Sequence, residues 1–169
     1  MRTAELSRYY RKGSGDIVNI LYAVGKTSDY KNYKGDEKVF YVMPKYSGLP
    51  EGFTKDMKYV MHFYINIGWR SQYCGIFRKT EENVTFYFID NELYFGDVAF
   101  FQESYGIERY TFFSRAVLEM LPKVGLKPDI INISGWESTL IPLMLKNYKS
   151  NPYYRGIETN IHTPEDIVV

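Results

Sequence analysis

The stretch from Phe86 to Ile131 constrains this chain more than any other. It opens on a continuous apolar run, Phe86-Tyr87-Phe88-Ile89, which stops at Asp90-Asn91 and is followed by Glu92-Leu93-Tyr94-Phe95. A polar-aromatic loop comes next, then Ile107 to Leu121 with apolar residues at helical spacing. Pro128-Asp129-Ile130-Ile131 closes the stretch as a second buried strand. Apolar strand, polar tip, long helix and apolar strand predict a βαβ unit with parallel pairing. The fold class that follows is α/β.

The rest of the chain supplies further elements. Asp16 to Gly25 places Ile17, Ile20, Leu21 and Val24 on one helical face, with Ser14 as cap and Gly25 at the end, so a helix is predicted there. Thr27 to Glu37 reads as a surface loop, and Val39 to Met43 as a buried strand stopped by Pro44. Tyr46 to Asp56, with Gly48, Pro50 and Gly52, reads as a loop. Tyr59 to Ile67 and Tyr73 to Arg78 flank a turn at Gly68 and predict an antiparallel pair inserted into a mostly parallel sheet. Glu81-Glu82-Asn83 is a second turn. Ser134 and Glu137 have capping-box spacing at the start of a helix that runs to about Tyr148 and that Pro142 bends. Gly156 to Ile161 is the last strand pattern. No repeat or linker divides residues 1–169, which read as a single domain.

Composition narrows the function classes. With 169 residues, 45% hydrophobic and 24% charged, the chain has the makings of a folded core. A net charge of +1 with interspersed signs favours neither nucleic acid nor an acidic membrane surface. Cys74 is the only cysteine, which excludes an internal disulfide and a cysteine metal cluster. No apolar run approaches the ~20 residues of a membrane span, and a cytoplasmic location is expected. The 17 tyrosines fit either a carbohydrate-stacking surface or ordinary strand and core use.

Several blocks resemble one family. Tyr87-Phe88-Ile89-Asp90-Asn91-Glu92, the segment from Glu108 to Glu119 and Lys127-Pro128-Asp129-Ile130-Ile131 are similar to bacterial glycogen and starch synthases, the family 5 glycosyltransferases. Met43-Pro44-Lys45-Tyr46 and Gln72-Tyr73-Cys74-Gly75-Ile76 fit the same pattern, and the blocks run in order from about Val39 to His162. The resemblance is to the N-terminal lobe of a two-lobed GT-B enzyme. It implies a three-layer, Rossmann-like α/β domain that helps to hold the glucan acceptor, with ADP-glucose bound mostly by a second, C-terminal lobe. No cofactor and no metal site are implied.

The resemblance also points to site residues, and to departures from the family pattern. The family lysine that precedes a Gly-Gly pair falls near Lys12, in Arg11-Lys12-Gly13-Ser14-Gly15; Lys12 is either its substitute or part of a flexible entry to the next element. The family's His-x-His-Asp-Trp aligns with Asn132-Ile133-Ser134-Gly135-Trp136, so both imidazoles are gone and Gly135 stands for the aspartate. The Ile-His-Asn segment aligns with Ile161-His162-Thr163 and keeps its histidine. Asp90, Asn91 and Tyr94 follow a strand, where ligands gather in open α/β sheets, or else they serve the turn itself. Candidate glucan-binding residues are thus Asp90, Asn91, Tyr94, Trp136 and His162, with Lys12 and His162 the weak catalytic candidates. Trp136 fits a cleft or a core, and His62 reads as structural.

Three functions are consistent with this pattern. The first is a degenerate synthase lobe, not catalytic by itself, that binds α-glucan or maltooligosaccharide. The second is one half of a split ADP-glucose:α-glucan glucosyltransferase whose C-terminal lobe is a separate protein. The third is a structural or interaction domain. The polar N-terminus lacks the family's apolar central strand, leaving a gap of ~4.8 Å that the N-terminal residues, the Ile167 to Val169 tail or a partner chain, a second copy included, is expected to fill.

Overall fold

The computed structural model describes residues 17–21, 39–49, 51–81, 84–96 and 106–162. Among these, seven strands form one sheet: β1 (Ile17–Leu21), β2 (Val39–Pro44), β3 (Lys58–Ile67), β4 (Arg70–Glu81), β5 (Val84–Asp90), β6 (Ile130–Ser134) and β7 (Glu158–His162). The helices are α1 (Glu51–Thr54), α2 (Glu92–Phe95), α3 (Gly106–Lys123) and α4 (Leu140–Tyr148). The strand order is β3-β4-β5-β2-β1-β6-β7.

β1 corrects the sequence reading most sharply, for Ile17 to Leu21 is a strand and not a helix. It pairs in parallel with β2 on one side (Ile17 with Val39) and β6 on the other (Ile17 with Ile130). A short apolar run fits either period, and spacing alone does not separate the two. The β-branched Ile17, Val18 and Ile20 prefer the extended form, and two waiting neighbours supply ladder partners on both sides. The central strand expected to be missing is therefore present. Among the described residues the sheet runs on through β1 without a gap of one strand width, and the motive for a homodimer or partner strand goes with it. Ser14 and Lys12 lie outside the described residues.

The five parallel strands run β5-β2-β1-β6-β7. This is the doubly wound 3-2-1-4-5 order, with its reversal between β1 and β6. β5 and β6 do not pair directly, contrary to the simple βαβ reading, because β2 and β1 lie between them. The antiparallel hairpin β3–β4 extends the sheet beyond β5 rather than interrupting it. Gly68, at φ +59°, opens the two-residue turn between Ile67 and Arg70. A first central residue with positive φ suits the twist of a hairpin.

The core sits between α3 and the sheet. α3 buries Phe112, Phe113, Ala116, Val117, Leu118, Met120 and Leu121. β5 buries Phe86, Tyr87, Phe88 and Ile89 in succession, as a strand with neighbours on both sides and covered faces should. Tyr46 meets Phe95 edge-on, and Tyr94 packs on Phe112 at 4.8 Å between centroids. The helix after β6 begins only at Leu140, after a 3-10 turn at Trp136–Ser138 and an N-cap, Thr139, that makes no side-chain cap bond. The capping box at Ser134 and Glu137 therefore does not start this helix. Pro142 falls in its first turn, where amides lack intrahelical acceptors, so it does not interrupt the helix interior.

Candidate functional site

All five parallel strands end on the same edge of the sheet, and the candidate residues gather there in two groups. Asp90 ends β5, while Ser134 ends β6 in register with His162 of β7. Three strand spacings of ~4.8 Å separate β5 from β6, so the groups stand roughly 14 Å apart.

The β5 group is occupied by its own structure. Asn91 is the N-cap of α2, accepting from the Tyr94 amide at 3.0 Å and donating Nδ2 to the Tyr73 carbonyl at 2.7 Å. Both ends of its amide are thereby satisfied, at 4% exposure. Tyr94 is buried, and its hydroxyl donates a short hydrogen bond to Glu108 Oε1. Glu108 Oε2 also receives Arg70 Nη2 at 2.5 Å, tying the hairpin turn to the start of α3. Asp90 is the accessible member, half-buried and paired with Lys45 at 3.0 Å. Lys45 in turn lies 4.8 Å from the centroid of the Phe77 ring. The Asp90–Lys45 pair is therefore the solvent-accessible part of this group.

The β6–β7 group is organised by a bend at Gly135, which adopts φ +89°. L side chains rarely take that conformation. The space beside it is filled as well: a Cβ built on Gly135 would lie 2.6 Å from Glu137 Oε2. The Glu137 carboxylate thus folds back over the position that a residue-135 side chain would claim. It also faces Tyr110 of α3, whose pKa is raised by burial first and then by this carboxylate. Ser138, next in the chain, is fully buried, and among the described residues its hydroxyl has no hydrogen-bond partner. The side chains of Trp136 and His162 lie outside the described residues; their backbones stand at the 3-10 turn and at the end of β7.

Sequence reasoning missed Glu137 because its spacing from Ser134 suggested a cap, and missed Glu108 because nothing local marks a carboxylate that bridges two distant elements. His62 bonds to the Tyr59 hydroxyl at 2.6 Å, within a ring cluster on the hairpin. Among the described residues no three His, Cys, Asp or Glu side chains converge to hold a metal, and no helix is long and apolar enough to cross a membrane. A groove of about 340 Å³ between α4 and the start of β7 lies away from both groups.

Comparison with known proteins places this geometry. The family described as the starch synthase catalytic domain matches residues 31–163. The chain belongs to that family. Glycogen synthase of Lachnospira eligens is 43% identical over 150 residues, covering 86% of this chain and 30% of the relative. Glycogen synthase of Caldicellulosiruptor saccharolyticus is 35% identical over 158 residues, covering 84% of this chain and 33% of the relative. The catalytic domain of starch synthase IV from Arabidopsis thaliana, bound to ADP and acarbose, superposes with a TM-score of 0.68 at 23% identity, over 89% of this chain and 34% of that one. At that identity the likeness speaks for the fold alone. The chain spans about a third of the length of the starch and glycogen synthases that it matches. Within the starch synthase fold, the matched portion is the N-terminal, Rossmann-like half of the GT-B arrangement.

Proposed function

We propose that this chain is the acceptor-side lobe of a glycogen-synthase-type glucosyltransferase that holds α-glucan and performs no transfer by itself. The observation that carries the reading is Gly135. It stands at the carboxyl end of β6, where the family pattern has aspartate, and it brings no side chain to a developing charge. An α-glucan or maltooligosaccharide would lie along the carboxyl ends of the parallel strands, meeting Asp90 at β5 and the region of Trp136 and His162 at β6 and β7. Asn91 and Tyr94 would support that surface from beneath, since their polar atoms already have partners. In this reading the lobe works in the cytoplasm.

Two measurements test it. Incubation with labelled ADP-glucose and a glucan primer is expected to give no incorporation above background, and robust incorporation overturns the non-catalytic part. Calorimetry with maltoheptaose is expected to show binding. An absence of heat together with unmoved amide resonances at Asp90 and Gly135 would leave the chain as a structural or interaction domain.

A second reading is favoured by one observation, the Glu137 carboxylate folded over Gly135. A carboxylate beside the acceptor site is what half of a split transferase would need. Mixing this chain with a separately expressed C-terminal lobe of a relative distinguishes the two. Transfer that appears on mixing and vanishes in Glu137→Gln supports the split enzyme, and continued silence supports the first reading.

A further inference from the structure

The tip of the hairpin carries side chains that neither the core nor the two cleft groups use. Gly75 pairs with Asp90, the last residue of β5, so Arg70 to Cys74 run on past the carboxyl end of that strand. Five extended residues span roughly 17 Å. The tip therefore projects on the side of the sheet where the candidate residues gather, with Trp69 in its turn. Trp69 is 93% exposed and adds nothing to the core of this domain.

Its surroundings are built. The Arg70 guanidinium lies 5.9 Å from the Trp69 ring centroid and donates to Glu108 Oε2 at 2.5 Å. Glu108 Oε1 accepts from the Tyr94 hydroxyl. One carboxylate thus ties the hairpin tip, α2 and the start of α3 together. Each tied residue is preceded in the chain by an exposed apolar one: Trp69 before Arg70, Leu93 before Tyr94 and Ile107 before Glu108. Single apolar residues on a surface are ordinary, whereas three set around one ion pair form a patch. Tryptophan and arginine are the residue types on which protein interfaces concentrate their binding energy, the more so when held in place beforehand. Glu92, exposed beside Leu93, gives the patch a charged margin.

We propose that this patch docks the donor-carrying lobe of a glucosyltransferase, with Trp69 as the anchor that holds that lobe over the carboxyl end of β5. The choice of partner rests on the function proposed above; the patch itself does not. An acceptor lying along the carboxyl ends of the strands needs its donor brought to that edge, and the hairpin tip projects from the same edge. The synthases that this chain matches are about three times as long, so a partner of that kind exists in the family. Trp69 exposes roughly 150–250 Å². A standard interface takes ~800 Å² per partner, so the patch suits one contact within a lobe–lobe interface that opens and closes better than a lasting dimer.

The test is calorimetry of this chain against the separately expressed C-terminal lobe of the Lachnospira eligens glycogen synthase, folded by circular dichroism, with maltoheptaose titrated in parallel. The lobe is expected to bind, and Trp69→Ala to weaken it roughly tenfold or more. Glu108→Gln, which takes away the charge that Arg70 pairs with, should weaken it by less. Tyr64→Ala, on the same hairpin but off the tip, should leave it unchanged. Trp69 stands almost wholly in water, so its loss leaves the fold intact. Lobe binding that Trp69→Ala does not alter overturns the docking surface, as does a silent lobe titration of a chain that binds maltoheptaose; both leave the acceptor-side reading standing. Lobe binding lost in Trp69→Ala, without maltoheptaose binding, supports the surface and overturns the glucan-holding part of that reading. Silence toward both overturns both. Trp69 fluorescence quenched by maltoheptaose would assign the tip to sugar, and a dimer in sedimentation abolished by Trp69→Ala would assign it to a second copy; either overturns the proposal.

Discussion

The parallel strand β5 and the antiparallel strand β3 are both rich in aromatic residues, yet one is core and the other surface. From Phe86 to Ile89 every side chain of β5 is buried, because β2 and β4 flank it and its faces are covered. In β3 burial alternates, because the strand is an edge and α3 covers one face only. Residue type does not separate the two. Position in the sheet does, and a ring becomes available to a ligand only where the covering layer stops.

The largest expected effect tests the buried side of this contrast. Phe112 is fully buried and packs on Tyr94 and Phe95. Phe112→Ala should cost about 3–5 kcal/mol in denaturant unfolding; a loss below about 1 kcal/mol would mean that α3 does not form the core of the sheet. Asn91→Ala comes next, at about 2–3 kcal/mol, since it removes a helix cap and leaves the Tyr73 carbonyl without its donor. Asn91→Asp should recover the cap but not the donor, and equal losses in both variants would show that the cap contributes nothing.

A smaller effect tests burial through pH. Burial first, then Tyr148 and Glu119, push the Tyr154 pKa from 10.0 up to about 12. The folded state keeps a proton that the unfolded chain releases above pH 10. The stability this group contributes is therefore fully present below pH 10 and is lost as pH rises from 10 toward 12. Tyr154→Phe should lose about 1 kcal/mol at neutral pH, through its bond to the Leu118 carbonyl, and should lose less than the parent between pH 10 and 12. An unchanged alkaline slope would count against burial of this ring. Smallest of all, Tyr64→Ala on the open face should change stability by no more than about 0.5 kcal/mol. A loss near that of Phe112→Ala would erase the distinction between the two strands.

Much of this architecture was legible before any coordinates. The four apolar residues of β5, the helical spacing from Ile107 and the Gly68 turn each predict their element, because each depends on chemistry within a few residues of itself. Ile17 to Leu21 departs from its helical spacing for the opposite reason. Its helical spacing was locally acceptable, and the decision between helix and strand belonged to β2 and β6, which lie far away in the chain. The candidate site divided in the same manner. Asn91 as a turn residue followed from its neighbours, whereas the salt bridge of Asp90 to Lys45, 45 residues earlier, did not.

By itself, the order of apolar runs, turns and helical spacing determined the α/β class and most element boundaries, and the matching blocks pointed to the synthase family. Tertiary structure alone decided that Ile17 to Leu21 completes the sheet, that Glu137 covers Gly135, and that the rings of the hairpin stay uncovered. The physical reason is range. Backbone preference and periodicity act over a turn or two, while burial, ion pairing and ladder partners depend on segments that only folding brings together.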